Sequence, residues 1–230
     1  LWYAAVASGN APVALTGHGT EPVTAVIFDS RGETLLIGTA AGNLYHYEVR
    51  EGAQPSLIET TSVAPSGTSV TALSYLIGDR SLAIGSSAGN VSVWMPVRQA
   101  QESSTTRFRL IHQFDAHPSP VTVISPSLRD KGFITGDTQG NLFVHYSTSS
   151  QTLLKLQGNQ QAIRTLTFSP KADGAVALTD HGELLTYAIH NPHPETTLAT
   201  LIKPIWYEGY ERPEHVWQSS SGADDFEAKF

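Results

Sequence analysis

Four stretches of the 230-residue chain carry nearly the same phrase at similar spacing. The first reads GTAAGNLYHYEV, from Gly38 to Val49. Each stretch has a central glycine, and these glycines are 47, 51 and 42 residues apart: Gly42, Gly89, Gly140 and Gly182. A second phrase repeats with the same three spacings and begins at Val23, Val70, Val121 and Ile163. Two markers with equal spacing indicate an internal repeat of the length found in propeller blades and in helical solenoids.

The pattern inside each unit favours strands over helices. Short apolar runs alternate with turn residues, and in the first unit the runs are Val23–Phe28, Thr34–Ile37, Leu44–Val49 and a less regular fourth at Ser56–Thr60. Asn, Gly and Asp between the runs supply the backbone conformations that tight hairpins need. Nearly continuous apolar runs are typical of strands that are buried on both faces. We therefore predict four-stranded antiparallel sheets stacked face to face.

A second glycine precedes the turn glycine by four residues in three of the units. These are Gly38, Gly85 and Gly136, and the fourth unit has Leu178 at this position. A glycine inside a strand indicates close approach of a neighbouring backbone. We expect the packing of the fourth unit to differ.

The units resemble WD-repeat blades. The resemblance lies in VTAVIFDSRGETLLIGTAAGNLYHY, in Gly17-His18 upstream of it, and in an aromatic residue five positions after the turn glycine. That residue is Tyr47, Trp94 or Tyr187, and His145 takes its place in the third unit. The resemblance implies an all-β, WD-repeat-like β-propeller of about four blades plus a partial one.

The family holds each blade with a hydrogen-bonded set of His, Ser or Thr, a turn Asp and Trp. Here the residue before the turn glycine is never Asp: it is Ala41, Ala88, Gln139 or His181. Because the Asp is missing from this position in all four units, we expect packing, and not this polar network, to shape the blades. His18 and His117, each followed by a Pro-Val pair, take the family's structural histidine position.

The predicted units are 1–16 (partial), 17–61, 62–109, 110–151 and 152–203. Leu1–Val6 matches the third strand of a blade, and Ala11–Leu15 could be its outer strand. The pattern predicts a fragment of a larger propeller, which closes through its C-terminal segment or pairs with a second copy.

Residues 204–230 depart from the repeat. The sequence WYEGYERPEHVWQSSSGADDFEAKF resembles the stretch before the membrane helices in long permease subunits of bacterial phosphate-type ABC transporters. The resemblance implies a non-catalytic periplasmic domain of an inner-membrane protein, which contacts other transporter subunits and a periplasmic substrate-binding protein. Its aromatic residues are candidate partner contacts, or they cover the last blade: Trp206, Tyr207, Tyr210 and Trp217.

Composition excludes several chemistries. The chain has no cysteine, so thiolate metal sites and cysteine nucleophiles are excluded. A net charge of -7 with scattered basic residues argues against a surface that binds nucleic acid. No G-x-S-x-G elbow or phosphate-binding loop occurs. The His190–His193 pair is interrupted by a proline, and Asp224, Asp225 and Glu227 fit a solvated linker. We predict no cofactor and no metal.

Three functions remain open at this point. The first is the permease domain, and the second is a generic protein-interaction scaffold of a soluble protein. The third is a propeller enzyme or ligand-binding domain that uses a central channel. It ranks last, because channel chemistry needs charged or metal-binding residues at matching places in several blades.

Overall fold

Four sheets, each made of four sequential antiparallel strands, form the body of the molecule. The structure is a computed structural model, and it describes residues 2–3, 13–50, 53–98, 106–172, 174–189 and 202–206. Two further strands, β1 (Trp2–Tyr3) and β2 (Val13–Ala14), pair with each other. No helix among the described residues is long and apolar enough to cross a membrane.

The four sheets are called blades 1 to 4 in chain order. Blade 1 contains β3 (Val23–Phe28), β4 (Thr34–Thr39), β5 (Asn43–Glu48) and β6 (Ser56–Ser62). Blade 2 contains β7 (Val70–Tyr75), β8 (Leu82–Ser86), β9 (Val91–Arg98) and β10 (Thr106–Gln113), with a short 3₁₀ turn at Ile77–Asp79. Blade 3 contains β11 (Val121–Pro126), β12 (Gly132–Asp137), β13 (Leu142–Tyr146) and β14 (Thr152–Leu156). Blade 4 contains β15 (Ile163–Phe168), β16 (Gly174–Thr179), β17 (Leu184–Ile189) and β18 (Ile202–Trp206).

The predicted all-β propeller fold is confirmed by this architecture. The second and third strands of blades 1 to 3 are buried on both faces over most of their length, as the continuous apolar runs predicted; β8, for example, is buried at every residue. In blade 4, β16 alternates between buried and half-buried residues. Apolar clusters join neighbouring blades. One contains Leu36 of blade 1 together with Val70 and Leu82 of blade 2. The core is therefore a series of layers between sheets.

The turn between the second and third strands has the same form in all four blades. Its glycine has a positive φ, from 81° at Gly42 to 85° at Gly182, and donates its N–H to the carbonyl oxygen three residues earlier. A residue with a Cβ is strained in this conformation. The repeated turn glycines are therefore set by backbone geometry.

The strand glycines receive a side chain from the next blade. A Cβ placed on Gly38 would lie 2.5 Å from Cγ1 of Val70, and one on Gly85 would lie 2.6 Å from Cγ1 of Val121. On Gly136 it would lie 3.0 Å from Cβ of Ile163. Each contacting residue is the first of an inner strand and is fully buried. Close approach was predicted at these glycines, but the approaching group is a side chain and not a backbone.

Removing the space at one strand glycine should separate two blades. We expect Gly85→Ala to lower the free energy of unfolding by about 1–3 kcal/mol, because the new methyl group overlaps the side chain of Val121. Urea denaturation measures the change.

The double variant Gly85→Ala/Val121→Ala is the control for this contact. Because the shortened side chain leaves room for the methyl group, the double variant should lose less than the two single changes together. If the losses of the two single variants simply add up in the double variant, the two side chains do not compete for the same volume.

Candidate functional site

A hydroxyl or carboxyl residue directly after the strand-glycine position closes the turn in every blade. The side chains of Thr39, Ser86, Asp137 and Thr179 accept a hydrogen bond from the backbone N–H four residues later. The donor–acceptor distances lie between 2.9 and 3.2 Å, and all four residues are at most 2 % exposed. Each unit of the repeat therefore has a buried polar side chain at the same position of this turn.

Blade 3 extends this turn bond into a buried network. Asp137 accepts hydrogen bonds from its own turn and from the ring of His117, whose Nδ1 lies 3.1 Å from Oδ2. The other ring nitrogen of His117 lies 2.6 Å from Oγ1 of Thr135. That hydroxyl also lies 2.8 Å from Nε2 of His145. Asn141 donates a hydrogen bond from its side-chain amide to Asp137 at 2.8 Å. The network therefore links the loop before β11, the strands β12 and β13, and the turn between these two strands.

Aromatic rings enclose the two histidines. Phe143 stacks on His117 with ring centroids 3.9 Å apart, and Phe133 stacks on His145 at 4.8 Å. Phe114 meets His145 edge-on at 4.9 Å. Because the rings exclude water, each polar atom here depends on its protein partners.

Burial controls the protonation of this network. It lowers the pKa of His145 to about 3, and the neighbouring His117 adds to the effect, so the imidazole of His145 is neutral at ordinary pH. Burial alone would raise the pKa of Asp137, but hydrogen bonds from His117 and Asn141 outweigh it and hold the pKa below its usual value. The site is a buried carboxylate held by donors.

Blade 1 reaches a similar result with a different carboxylate. Glu21, in the loop before β3, accepts hydrogen bonds from the amide of Asn43 at 3.0 Å and the hydroxyl of Thr39 at 2.9 Å. These bonds, the one from Asn43 first, lower the pKa of Glu21. Tyr45 lies 3.4 Å from the same carboxylate and accepts the N–H of Gly19.

The expectation that packing alone shapes the blades is therefore wrong for blades 1 and 3. The turn position before the glycine does lack Asp, but Asp137 lies three residues before Gly140 and reaches His117 from there. In blade 1 the carboxylate comes from the loop. Sequence reasoning missed both carboxylates because it considered only the residue directly before the turn glycine. The position that carried the signal lies three residues before that glycine: Thr39, Ser86, Asp137 and Thr179.

The two predicted structural histidines lie in different environments. The ring of His117 is buried in the network, whereas His18 is partly exposed and its Nδ1 lies 2.8 Å from the carbonyl oxygen of Gly19. One extra residue separates His18 from its Pro-Val pair, which displaces it from the matching place.

The aromatic position after the turn glycine is buried in all four blades. Tyr47 donates its hydroxyl to the carbonyl of Thr16 at 2.8 Å, and Trp94 donates its indole N–H to Ser92 at 2.9 Å. Burial raises the pKa of Tyr187 to about 12. These side chains fill the blades and do not form a surface.

One of the four predicted partner contacts, Trp206, lies within the described residues. The backbone of Trp206 pairs with Leu185 at the end of β18. Tyr207, Tyr210 and Trp217 lie outside the described residues, as do His190, His193 and the carboxylates Asp224, Asp225 and Glu227. Within the described ranges, no group of three or more His, Asp and Glu residues could hold a metal ion.

Removing the Asp137 carboxylate should cost more than removing the matching hydroxyl in blade 2. Asp137→Ala leaves His117, Asn141 and two backbone N–H groups without their acceptor, so we expect a loss of about 3 kcal/mol or more. Ser86→Ala removes the bond from the N–H of Asn90 and a longer one, 3.4 Å, to the side-chain oxygen of Asn90, and should cost about 1 kcal/mol. Equal losses in thermal or urea unfolding would contradict a network specific to blade 3.

Acid should destabilise the chain through His145. Its pKa is lower in the folded state than in the unfolded state, so the unfolded chain binds more protons between about pH 3 and 6.5. The contribution of neutral His145 to the free energy of unfolding is fully present above pH 6.5. Below pH 6.5 the free energy of unfolding should fall by up to about 1.4 kcal/mol per pH unit. Unfolding free energies at several pH values, with His145→Gln as control, measure the slope. An unchanged slope in that variant would assign the effect to other groups.

Comparison with known proteins identifies the fold and no more. No family model matches the chain, and no curated protein matches it. Among solved structures, the computationally designed Ika4 protein is similar with a TM-score of 0.61 and 22 % identity, covering 79 % of this chain and 99 % of that one.

Two natural propellers are also similar. Hsv2 of Kluyveromyces lactis has a TM-score of 0.57 at 13 % identity over 79 % of this chain. The Cps50 (Swd1) β-propeller domain of Myceliophteria thermophila has a TM-score of 0.56 at 16 % identity over 70 %. The matched part spans about half of each of these two chains, 52 % and 51 %. These likenesses agree with the stacked sheets: the chain has a WD-like β-propeller fold.

Proposed function

We propose that this chain is a β-propeller scaffold for protein–protein interaction. The observation that supports the proposal is how the buried polar groups are used. In blades 1 and 3 the carboxylates, hydroxyls and histidines bond to turns and to one another inside the sheets. These groups stabilise the blades from within. The turns at the ends of the sheets are therefore the part of the fold that we expect to contact a partner.

One turn offers a pre-organised contact. Leu128, between β11 and β12, is 74 % exposed, the highest value among the large hydrophobic residues described. The buried hydroxyl of Ser127 accepts the N–H groups of Arg129 and Asp130, and Asp130 accepts the N–H of Gly132. Arg129 also donates to the carbonyl of Lys171 in blade 4. An apolar side chain held on an ordered turn loses little conformational freedom when it binds.

A photo-crosslinking residue at position 128 tests this surface. In cells that produce this chain, we expect a discrete crosslinked partner at position 128. The matched control is position 97, because Val97 is an exposed apolar residue on the third strand of blade 2 and is 43 % exposed. Absence of a product at 128, or the same product at both positions, would argue against the turn as the contact.

The second candidate is more specific: an extracytoplasmic domain of a bacterial phosphate-type ABC permease, contributing to phosphate import from the periplasmic side of the inner membrane. Its support is the sequence resemblance of residues 204–230. Its partners would be the other transporter subunits and a periplasmic substrate-binding protein. Absence of catalytic chemistry is part of both proposals.

Pull-down with the cognate binding protein, with and without phosphate, tests the second candidate. We expect association that depends on phosphate. No association in either state removes the binding protein as partner, and a parent gene without membrane helices around this segment rules out the permease. Light scattering on the isolated chain tests the predicted pairing with a second copy: a dimer would support pairing, and a monomer would leave closure through the C-terminal segment.

A further inference from the structure

Five side chains in and beside blade 3 form one hydrogen-bonded line, which we call the histidine line: Thr152, His145, Thr135, His117 and Asp137. The carboxylate at its inner end fixes where the hydrogen of His117 lies. An ionised carboxylate only accepts hydrogen bonds, and Oδ2 of Asp137 lies 3.1 Å from Nδ1 of His117. Nδ1 therefore carries a hydrogen, and Nε2 of the neutral ring keeps a lone pair.

The next two links follow from this assignment. The hydroxyl of Thr135 donates its single hydrogen to Nε2 of His117 at 2.6 Å, since the carbonyl oxygen of Phe143, at 3.5 Å, is a poorer acceptor. The oxygen of Thr135 then accepts from Nε2 of His145, at 2.8 Å. Nδ1 of His145 is left with a lone pair, 3.2 Å from the hydroxyl of Thr152. The neutral line therefore has one direction, and its donors point towards the carboxylate.

Thr152 connects the histidine line to the surface. It is half-buried and lies close to Asp115, which pairs with Lys155 at 2.8 Å. Lys155 lowers the pKa of Asp115, and a hydrogen bond from Thr152 adds to this effect. Because a hydroxyl has one hydrogen, Thr152 donates either inwards to His145 or outwards to Asp115. Thr152 is thus an element with two states at the outer end of the line.

We propose that the histidine line is a proton-operated switch, in which uptake of one proton reverses its hydrogen bonds. A proton from water at the surface forms an N–H bond at Nδ1 of His145. The Nε2–H bond of the same ring breaks as its proton moves to Thr135, and the hydroxyl proton of Thr135 moves to Nε2 of His117. Thr152 accepts from His145 and turns its own hydrogen towards Asp115. Every group of the reversed line again has a partner.

The neighbours of the two rings place the added charge on His117. Asp137 lies 3.1 Å from this ring, and both side chains are fully buried, where opposite charges attract most strongly. Burial and the charge of His117 lower the pKa of His145 to about 3; Lys155 adds to this effect and Asp115 opposes it. Asp115, Asp137 and Lys155 are the charged side chains that face the two rings. The line therefore holds one added proton and not two.

Asp137 transmits the change to the loop before blade 4. A hydrogen bond from a charged His117 is stronger than one from a neutral ring, so it holds the carboxylate and its turn more firmly. In this turn the side-chain oxygen of Asn141 accepts the N–H of Gly158 at 2.8 Å. The switch therefore sets how firmly the loop at 157–162 is held against blade 3, whichever partner the turns of the propeller contact.

Nitrogen NMR of the full chain, labelled with ¹⁵N-histidine, tests the switch because it shows which ring nitrogens carry hydrogen. His117→Gln and His145→Gln each remove one set of signals and so assign the two rings. At the alkaline end of a pH titration, we expect hydrogen on Nε2 of His145 and on Nδ1 of His117. As the pH falls, His117 should gain a second hydrogen while the hydrogen of His145 moves to Nδ1, with one shared midpoint.

Four results overturn the switch. His145 already carries its hydrogen on Nδ1 at the alkaline end, or it becomes doubly protonated while His117 does not. The two rings change at different pH values, or neither ring changes before the chain unfolds in acid. Each of these results is read from the unaltered chain, so the proposal can fail without any variant.

Matched variants of the central link separate a relay from two independent histidines. Thr135→Ser keeps the hydroxyl, so the shared midpoint should remain. Thr135→Val removes the hydroxyl, so a change at His117 should no longer move the hydrogen of His145. If the valine variant is folded by circular dichroism and the hydrogen of His145 still moves, the relay through Thr135 is wrong.

Hydrogen exchange tests the effect on the loop. After correction for the intrinsic effect of pH, exchange of the Gly158 N–H should slow by about threefold or more as the pH falls through the shared midpoint, because its acceptor is then held more firmly. The same N–H in Thr135→Ser is the control and should respond alike. Unchanged protection in the unaltered chain overturns the link between the histidine line and the loop.

Discussion

The contact between a strand glycine and the first residue of the following blade sets the spacing of the sheets. Gly85 has no side chain, so Val121 of blade 3 can rest directly on the backbone of β8. Burial of an entire Val side chain contributes about 1.5–3 kcal/mol. Because the same contact occurs at Gly38 and Gly136, the stacking of all four blades depends on a short repeated element.

Once the blades are stacked, polar groups between them must find partners. As in the Asp137 network, a carboxylate accepts a hydrogen bond between the outer strands of blades 1 and 2. Glu59 of β6 accepts the backbone N–H of Phe108 in β10. Its carboxylate lies 3.8 Å from the ring of His46 and 3.9 Å from the guanidinium of Arg109. Burial lowers the pKa of His46 although Glu59 opposes this. Apolar contacts join the inner strands, and a buried carboxylate joins the outer ones.

The fold could be predicted from sequence because its determinants are local and repeated. Turn glycines with positive φ occur in all four blades, and strands buried on both faces occur in blades 1 to 3. The networks could not be predicted in the same way, because they join residues far apart in sequence: His117 meets Asp137 across 20 residues, and Glu21 meets Asn43 across 22. A side chain one position from the expected place, as at His18, changes partners entirely.

Packing and function also leave different traces. The sequence feature with the sharpest functional resemblance lies in residues 204–230, most of which follow β18, the last strand of blade 4. The strongest structural signals lie inside the blades. Residues that hold blades together are fixed by geometry and repeat with it; residues that meet partners need to satisfy only the partner. The proposed contact Leu128 follows this expectation, since the same position of the repeat is Ser30 in blade 1 and Pro170 in blade 4, and Ile77, at this position of blade 2, is half-buried. We therefore expect departures from the repeat, rather than the repeat itself, to mark interaction surfaces in this chain.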